Sequence, residues 1–436
     1  MIYVYMSVRQ HILIMAGGSG KRMGLDCPKQ ILNVGHTSMI FHLLDLANSL
    51  QNDVILVLSK KNKDQIFAHL ESKDVVFSDG KIIYNQITIW VAIQEIADGT
   101  GGAIRTARDK VFYSEDYGYD PNARNSVLIL SADVPLISQY SASRMLNIMK
   151  AETNFKCVIY AQNRENPHGY GRVLIHPDGR VTIVEQKDIY LDDIDKVTLI
   201  NTGIYVFEAE ALFSTLNFLT NDNANHEYYL TDVPRIIQDN LGNRTIDIYL
   251  KPDFVDWDET MGANTPGQLA DMRAEYMKMF RVIEITEEAT ALCHEDVVEY
   301  MECLAELTSV NLPHDMKTTS EVAEYIAFLP DNQKIFVVSY AEKIVATFSI
   351  MIEQKIIHQM SSVAHVEDVV IKKEFRGIGM GNTILDFIKA YCTTYNDSHS
   401  HKIYKIILEC SDDVLNFYER NEFKKVGYSM RYDVEI

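Results

Sequence analysis

No stretch of this 436-residue chain approaches the roughly 18 consecutive apolar residues of a membrane-spanning helix. Positive charge is scarce as well. Lys and Arg number 41 against 61 Asp and Glu, a formal net charge of −20. Such a chain lacks the broad basic face that duplex nucleic acid or an anionic membrane surface requires, so neither is expected as a partner. Phosphorylated small molecules stay open, because they need only a few local cations. Cysteine is sparse: Cys27, Cys157, Cys293, Cys303, Cys392 and Cys410 include no C-x-x-C pair. No zinc cluster or dithiol redox motif is expected, and scattered single thiols suit a reducing compartment. The opening stretch MIYVYMSVRQ lacks the charged n-region and cleavage pattern of a signal peptide. A cytoplasmic location is the expectation. There is no low-complexity segment and no hexapeptide repeat, so a left-handed β-helix is not expected.

What is present is enough for two cores. In the first part, short apolar runs alternate with helical spacing. His11–Ala16, Asp53–Leu58 and Ser126–Ser131 read as buried parallel strands, and Met39–Leu50 as a helix between them. That rhythm predicts a doubly wound α/β sheet with ligands at the carboxyl ends of its strands. Pro266–Met279 reads as a closing helix, Arg281–Ile285 as a new strand, and Thr286 as the start of a capped helix. The expected division is therefore residues 1–279 and 280–436.

Directly after the first strand comes Met15-Ala16-Gly17-Gly18-Ser19-Gly20-Lys21-Arg22-Met23, with Pro28-Lys29 shortly beyond. Glycines let backbone N–H groups approach phosphate oxygens, and Arg22 and Lys29 supply fixed positive charge. The spacing is not that of a Walker loop. Asp133 follows the strand ending at Ser131, where a carboxylate can meet Mg²⁺ held by nucleotide phosphates. The pattern resembles the nucleotidyltransferase (pyrophosphorylase) superfamily. Further segments follow in order: His168–Arg172, Val184–Asp188, Asn201–Ile204, Glu227–Asp232 and Gly262–Asn264. With them the resemblance narrows to the N-acetylglucosamine-1-phosphate uridylyltransferase half of a bacterial bifunctional enzyme family, over about 260 residues.

That resemblance implies a Rossmann-like fold and a residue-by-residue expectation. Met15, Ala16, Gly17, Gly18 and Ala132 line the UTP site, with Arg22 and Lys29 as the catalytic cations on its phosphates. Gln94, Gly99 and Thr100 contact the uracil. Asp133 and Asn264 bind Mg²⁺. Gly171, Glu185, Asn201, Tyr229 and Thr231 contact the sugar. One departure is that Ser131-Ala132-Asp133 stands where the family usually has Tyr-Gly-Asp.

A second Gly-rich turn lies at Arg376-Gly377-Ile378-Gly379-Met380-Gly381, between the strand Glu367–Ile371 and a helical pattern at Thr383–Tyr391. Backbone N–H groups and the helix dipole there suit a pyrophosphate. The G-x-G-x-x-G spacing of a dinucleotide fold is not met. R-x-x-G-x-G after a strand resembles the coenzyme A loop of the GNAT superfamily. Together with Thr347–His358, Tyr404–Cys410 and Phe417–Phe423 it resembles the eukaryotic glucosamine-6-phosphate N-acetyltransferases over about 150 residues. By that resemblance Val369, Val370 and Ile371 align acetyl-CoA, while Arg376 through Gly381 hold its pyrophosphate. Tyr418 protonates or hydrogen-bonds the departing thiolate, and one of Glu409, Glu367 and Asp368 accepts the amine proton, directly or through water. Lys355, Tyr404, Lys405 and Thr308 bind the sugar phosphate and hydroxyls. Asp413 and Val414 replace a usual Asn, and Arg431, with Asp433 beyond it, is slightly out of register for an arginine that reaches a partner subunit. A homodimer through this domain is implied.

The expectation is a bifunctional enzyme of UDP-N-acetylglucosamine synthesis, with a 6-to-1 phosphate mutase needed between its two steps. Another amino sugar or nucleotide, or one domain kept as a ligand-binding or dimerising module, remains open.

Overall fold

A computed structural model describes residues 8–18, 20, 23–73, 75–78, 81–185, 196–286, 293–307 and 316–427. The chain forms two compact units, Met1–Tyr276 and Met277–Ile436.

The first unit is built on an eleven-stranded sheet. Its centre is four parallel strands in the order Arg124–Ser131, Val8–Met15, Val54–Ser59 and Ile87–Gln94. Successive side chains alternate between two cores. Ile12, Ile14, Leu56 and Leu128 face the helix Met39–Ser49, which adds Ile40, Leu43 and Leu44. Leu13, Ile55, Val57 and Ile129 face the helix Thr100–Ala107, which adds Ala103, Ile104 and Ala107. Both faces are covered, which is why Val54–Ser59 reads as a continuous apolar run rather than an alternating one.

The chain moves outward from Val8–Met15 through the next two strands, then returns to place Arg124–Ser131 on the other side. That reversal is the topological switch point, where the carboxyl ends of neighbouring strands diverge and leave a crevice. The expected strands and helix thus form in their expected places. The sequence rhythm did not disclose the antiparallel outer part. Leu199–Glu208 runs antiparallel to Arg124–Ser131 and also pairs with Cys157–Asn163 and the hairpin strand Arg172–Ile175.

The helix Pro266–Met277 closes this unit against the segment after Lys29. Arg273 donates to the Asn33 carbonyl at 2.9 and 3.0 Å. Tyr276 is fully buried and its hydroxyl bonds His36. Gly35 lies beneath it with φ +69°, and a methyl group there would overlap the Tyr276 ring.

The second unit is a five-stranded sheet in the order Arg281–Glu284, Gln333–Tyr340, Lys343–Gln354, Ser362–Ile371, Ile403–Leu408. The last pair is parallel and the others antiparallel. One face packs Ile335, Val337 and Ile344 against Tyr300 and Cys303 of the helix His294–Ala305. On the other, Phe336 and Phe348 meet Phe387 of the helix Met380–Ser398. The capped helix expected from Thr286 falls on a turn that runs into residues outside those described. The described helix starts at His294, where the Asp296 carboxylate accepts from the Cys293 N–H at 2.9 Å.

Gly35→Ala should combine an unfavourable positive φ with overlap of a buried ring. A loss of about 2–3 kcal/mol is expected, or several degrees in the melting of the first unit. Thermal melts of the full chain check this, and an unchanged melting profile would show that the Gly35–Tyr276 contact does not hold the closing helix.

Candidate functional sites

At the switch point, the glycine turn and the Asp133 turn leave adjacent strands side by side. The Ala132 N–H donates to the Met15 carbonyl at 3.0 Å, locking the two turns together. The Lys29 ammonium sits between Asp133 and Asn264: it is ion-paired to the Asp133 carboxylate and donates to Asn264 Oδ1 at 2.7 Å. Ser131 Oγ donates to the other carboxylate oxygen of Asp133 at 2.6 Å. The Ala263 N–H donates to the Asp133 carbonyl at 3.1 Å, so backbone pairing brings Asn264 here. Burial by itself would raise the Asp133 carboxyl pKa. The Lys29 charge, its hydrogen bond and Ser131 together hold it below the usual value.

The donors suit a divalent cation of the magnesium type. One carboxylate and one amide oxygen converge on a point already occupied by an ammonium, and Mg²⁺ takes most of its ligands from phosphate and water. Among the described residues no group of three or more His, Cys, Asp and Glu forms an alternative metal cluster.

A cavity of about 280 Å³ opens beside this pair, lined among others by Met15, Gly17, Gly18, Lys29, Gln94, Gly99, Thr100 and Asp133. Ala16 and Ala132 are buried on the same two turns. Arg22 lies outside the described residues, as do Ser19 and Lys21. The glycine turn is held from below by a residue that sequence reasoning passed over. Asn62 is 2% exposed. Its Nδ2 donates to the Ala16 carbonyl at 2.7 Å, and its Oδ1 accepts from Ser59 N and Oγ at 3.0 and 2.9 Å. Gln30 adds a bond from Nε2 to the Gly18 carbonyl at 3.2 Å. Neither residue stands out in a hydropathy pattern. Glu227, also unforeseen, lines the cavity.

The expected sugar residues gather next to it. Asn201 N–H donates to the Gly171 carbonyl at 2.9 Å, and Thr231 Oγ1 donates to Glu185 Oε1 at 3.0 Å. Tyr205 donates its hydroxyl proton to Asn201 Oδ1 at 2.8 Å. Tyr229 is buried on the same segment. That segment is zipped to the Gly99 turn: Tyr228 N–H donates to the Asp98 carbonyl and Gly101 N–H to the Tyr228 carbonyl, both at 2.7 Å. Leu230 N–H donates to Thr100 Oγ1 at 2.9 Å. The Gln186-Lys187-Asp188 part of the expected series lies outside the described residues.

In the second unit, the parallel pair Ser362–Ile371 and Ile403–Leu408 stays in register only to Val366 opposite Leu408. Beyond that point the strands part. On its other side Ser362–Ile371 carries a bulge. Thr347 pairs with Val370 and Ser349 with Glu367, so Asp368 and Val369 stand opposite Phe348 alone. Asp368 takes φ +55° to make it. The bulge and the parting leave Glu367, Asp368 and Val369–Ile371 beside the start of Glu409. Burial, with Asp368 and Glu409 nearby, raises the Glu367 carboxyl pKa.

The turn follows at once. Gly377 and Gly379 have φ +79° and +104°, and Gly379 caps the helix Met380–Ser398. A side chain on Gly381 would come within 2.8 Å of the Phe417 ring, so this glycine admits the helix Asp412–Arg420 against the turn. Tyr418 lies on that helix and is 9% exposed. Burial, then Cys410, raises its phenol pKa. The Arg376 guanidinium is engaged locally, donating from Nε to the Ile371 carbonyl at 2.7 Å and from Nη2 to Glu306 at 2.8 Å. It braces the turn that it was expected to complete.

Lys355, Tyr404 and Lys405 share the far end of the same strands. The Tyr404 ring lies tilted against His358 with ring centroids 4.5 Å apart, and the Lys405 ammonium lies 5.5 Å from the Tyr404 ring. Lys355 pairs with Glu353, which also bonds His365 at 2.9 Å. His365 and Glu353, not foreseen as site residues, join this end to Glu367. Thr308, Arg431 and Asp433 lie outside the described residues.

Comparisons with known proteins follow the same division. Residues 11–250 match the nucleotidyl transferase family, and residues 331–425 match the acetyltransferase (GNAT) domain. The bifunctional protein GlmU of Corynebacterium efficiens is 32% identical over 265 residues, covering 61% of this chain and 50% of that protein. The protein of the same name from Clostridium kluyveri is 26% identical over 424 residues, covering 94% of this chain and 85% of that protein. A crystal structure of glucosamine-6-phosphate N-acetyltransferase from Arabidopsis thaliana is 26% identical and covers 36% of this chain and 99% of its own, with a TM-score of 0.30. The chain spans about half the length of the curated relatives it matches at 31–32% identity. The match over residues 11–250, more than half of the chain, places it in the nucleotidyl transferase family, with an acetyltransferase (GNAT) domain in its second unit.

Proposed function

We propose that the first unit transfers a uridylyl group from UTP to N-acetylglucosamine 1-phosphate. The second transfers acetyl from acetyl-CoA to glucosamine 6-phosphate. The observation that carries the first reading is the meeting of Lys29, Asp133 and Asn264 beside a glycine turn at the switch point. The bifunctional relatives support it. A sugar-phosphate oxygen attacks the α-phosphorus of UTP, the bond to the β-phosphate oxygen breaks, and pyrophosphate leaves. No protein nucleophile is needed. Catalysis is positioning and charge neutralisation. Asp133 and Asn264 would hold Mg²⁺, which when bound neutralises triphosphate charge. Lys29 and Arg22 hold phosphate oxygens. Gln94, Gly99 and Thr100 hold the base, and the Gly171, Glu185, Asn201, Tyr229 and Thr231 group takes the sugar.

In the second unit the parted strands and the Gly377–Gly381 turn support acetyl-CoA binding, with Val369–Ile371 along the pantetheine arm. The amine attacks the thioester carbonyl, a carboxylate takes its proton, and the C–S bond breaks. Tyr418, its pKa raised, keeps a proton to give the thiolate. Glu367 is the carboxylate best suited as acceptor, because its raised pKa favours taking a proton near neutrality. Lys355, Tyr404, Lys405 and Thr308 would hold the sugar phosphate and hydroxyls. The two products belong to one pathway, that of UDP-N-acetylglucosamine, on either side of a 6-to-1 phosphate transfer. A domain division at 279/280, a homodimer through the second unit and a cytoplasmic setting complete the proposal. No helix among the described residues is long and apolar enough to cross a membrane.

A matrix of four nucleoside triphosphates and several sugar 1-phosphates, read by pyrophosphate release with Mg²⁺, tests the first reading. UTP with N-acetylglucosamine 1-phosphate should be the best pair, and a better pair replaces the assignment.

Asp133→Ala should lower pyrophosphate release at least about 100-fold while thiol release from acetyl-CoA continues. Loss of both would show that the two activities are not independent.

Thiol release should depend on glucosamine 6-phosphate, and glucosamine 1-phosphate serving better overturns that acceptor. Its kcat/KM should rise with pH through a limb above the usual glutamate range, since the proton acceptor must be deprotonated and Glu367 holds its proton more tightly than an exposed carboxylate. Glu367→Gln should lower kcat about 100-fold and remove that limb. A limb kept in Glu367→Gln and lost in Glu409→Gln would move the role to Glu409.

A further inference from the structure

The nucleotide cavity contains an amide whose orientation is decided by a neighbour. Gln94 ends the strand Ile87–Gln94 and lines the cavity. Its Nε2 donates to Asp98 Oδ1 at 2.8 Å and to the Gly99 carbonyl at 3.1 Å. Both amide protons are thereby used. A carboxylate and a backbone carbonyl only accept, so the amide cannot turn over without setting oxygen against oxygen. Gln94 Oε1 is left as the group this side chain presents. It points toward Gly17, 3.6 Å from where a Cβ would sit, and Gly17 lines the same cavity.

Asp98 can stand there for two structural reasons. Its own carbonyl is anchored by the Tyr228 N–H at 2.7 Å. Its carboxylate occupies space that a side chain at position 102 would fill, because a Cβ on Gly102 would overlap it. Asp98 and Gly102 thus work together, and neither was singled out in the sequence.

We infer that Asp98 is a positioning residue that sets which pyrimidine the first site accepts. This rests on the uridylyl reading above. Uracil and thymine carry an imide N3–H, flanked by two carbonyls, that can donate to Gln94 Oε1. Cytosine has a bare ring nitrogen at that position, and its lone pair would face the same oxygen. A site built to receive a hydrogen bond discriminates strongly when the partner group is missing. With Asp98 in place, the acceptor is fixed toward the base and the imide is selected. With Asp98 replaced by an amide, the new Nδ2 can donate to Gln94 Oε1. That new bond offsets the contact a turned Gln94 Oε1 would make with the Gly99 carbonyl, so Gln94 can present its NH₂ to the base.

The test is kcat/KM for UTP and for CTP on the full chain, with one sugar 1-phosphate and Mg²⁺, in the wild type, Asp98→Asn and Asp98→Ala. The wild type should favour UTP. Asp98→Asn, which keeps the side-chain shape, should lower the UTP-to-CTP ratio about tenfold or more. Most of that change should fall on KM. Asp98→Ala, which leaves the Gly99 carbonyl as the remaining acceptor that holds the Gln94 orientation, should fall between the two. A wild type that strongly prefers UTP, with both variants keeping its ratio even if their overall activity drops, overturns the inference and leaves the uridylyl reading standing. A wild type that uses CTP as well as UTP overturns the uridylyl reading and this inference with it.

Discussion

The first unit depends on one buried ion pair. Lys29 and Asp133 lie on different segments of the sheet's carboxyl edge, and Asn264 is brought to them from the end of the unit. Removing either charge would leave the other buried and unpaired, which typically costs about 3–5 kcal/mol. The surroundings are built to keep the pair. Ser131 takes the second carboxylate oxygen, Ala263 takes the Asp133 carbonyl, and the Tyr276 helix presses the Lys29 segment from behind. In the proposed function this same arrangement meets the phosphates. An ammonium held by two oxygens marks a place where a second cation and an anion can exchange partners with little rearrangement of backbone.

The candidate site of the second unit is built by a different route. Among the described residues no buried cation organises it. A bulge at Asp368 and the parting of two parallel strands past Val366 and Leu408 free main-chain groups from the ladder. The turn that follows supplies further N–H groups at a helix start. Its negative charges gather on the opposite task. Burial, with Asp368 and Glu409 nearby, raises the proton affinity of Glu367 near the expected amine, while lysines and aromatic rings collect at the other end of the sheet. The lysine end also holds Glu353, paired with Lys355.

Glycine serves the two sites in different ways. In the first unit Gly102 makes room for a carboxylate, and Gly35 makes room for a ring. In the second, Gly377 and Gly379 supply backbone angles, and Gly381 makes room for Phe417. A string of glycines in a sequence does not tell these uses apart, because each depends on what packs against the glycine from another segment.

Much was legible from residues in order. The parallel strands announced themselves as short apolar runs, since strands covered on both faces need no polar alternation. The two glycine turns could be placed because each directly follows such a strand. Lys29, Asp133, Asn264 and Tyr418 were singled out through ordered motifs, because the signal for each lies within a few residues of it, and the structure brings the first three together. The antiparallel strands beyond Arg124–Ser131 were not legible, since pairing partners are chosen across the sheet and leave no local mark. Neither were Asn62, His365 and Asp98. Each is an ordinary polar residue by sequence, and it acquires meaning only from the atom it touches. The sequence by itself determined the two folds, the two turns and the chemical kinds of group at each site. The tertiary structure alone decided that Lys29 lies between Asp133 and Asn264, that Arg376 braces its own turn, and that Gln94 shows an oxygen to its cavity. Those are contacts between segments far apart in the chain, and hydrogen-bond direction is settled by neighbours.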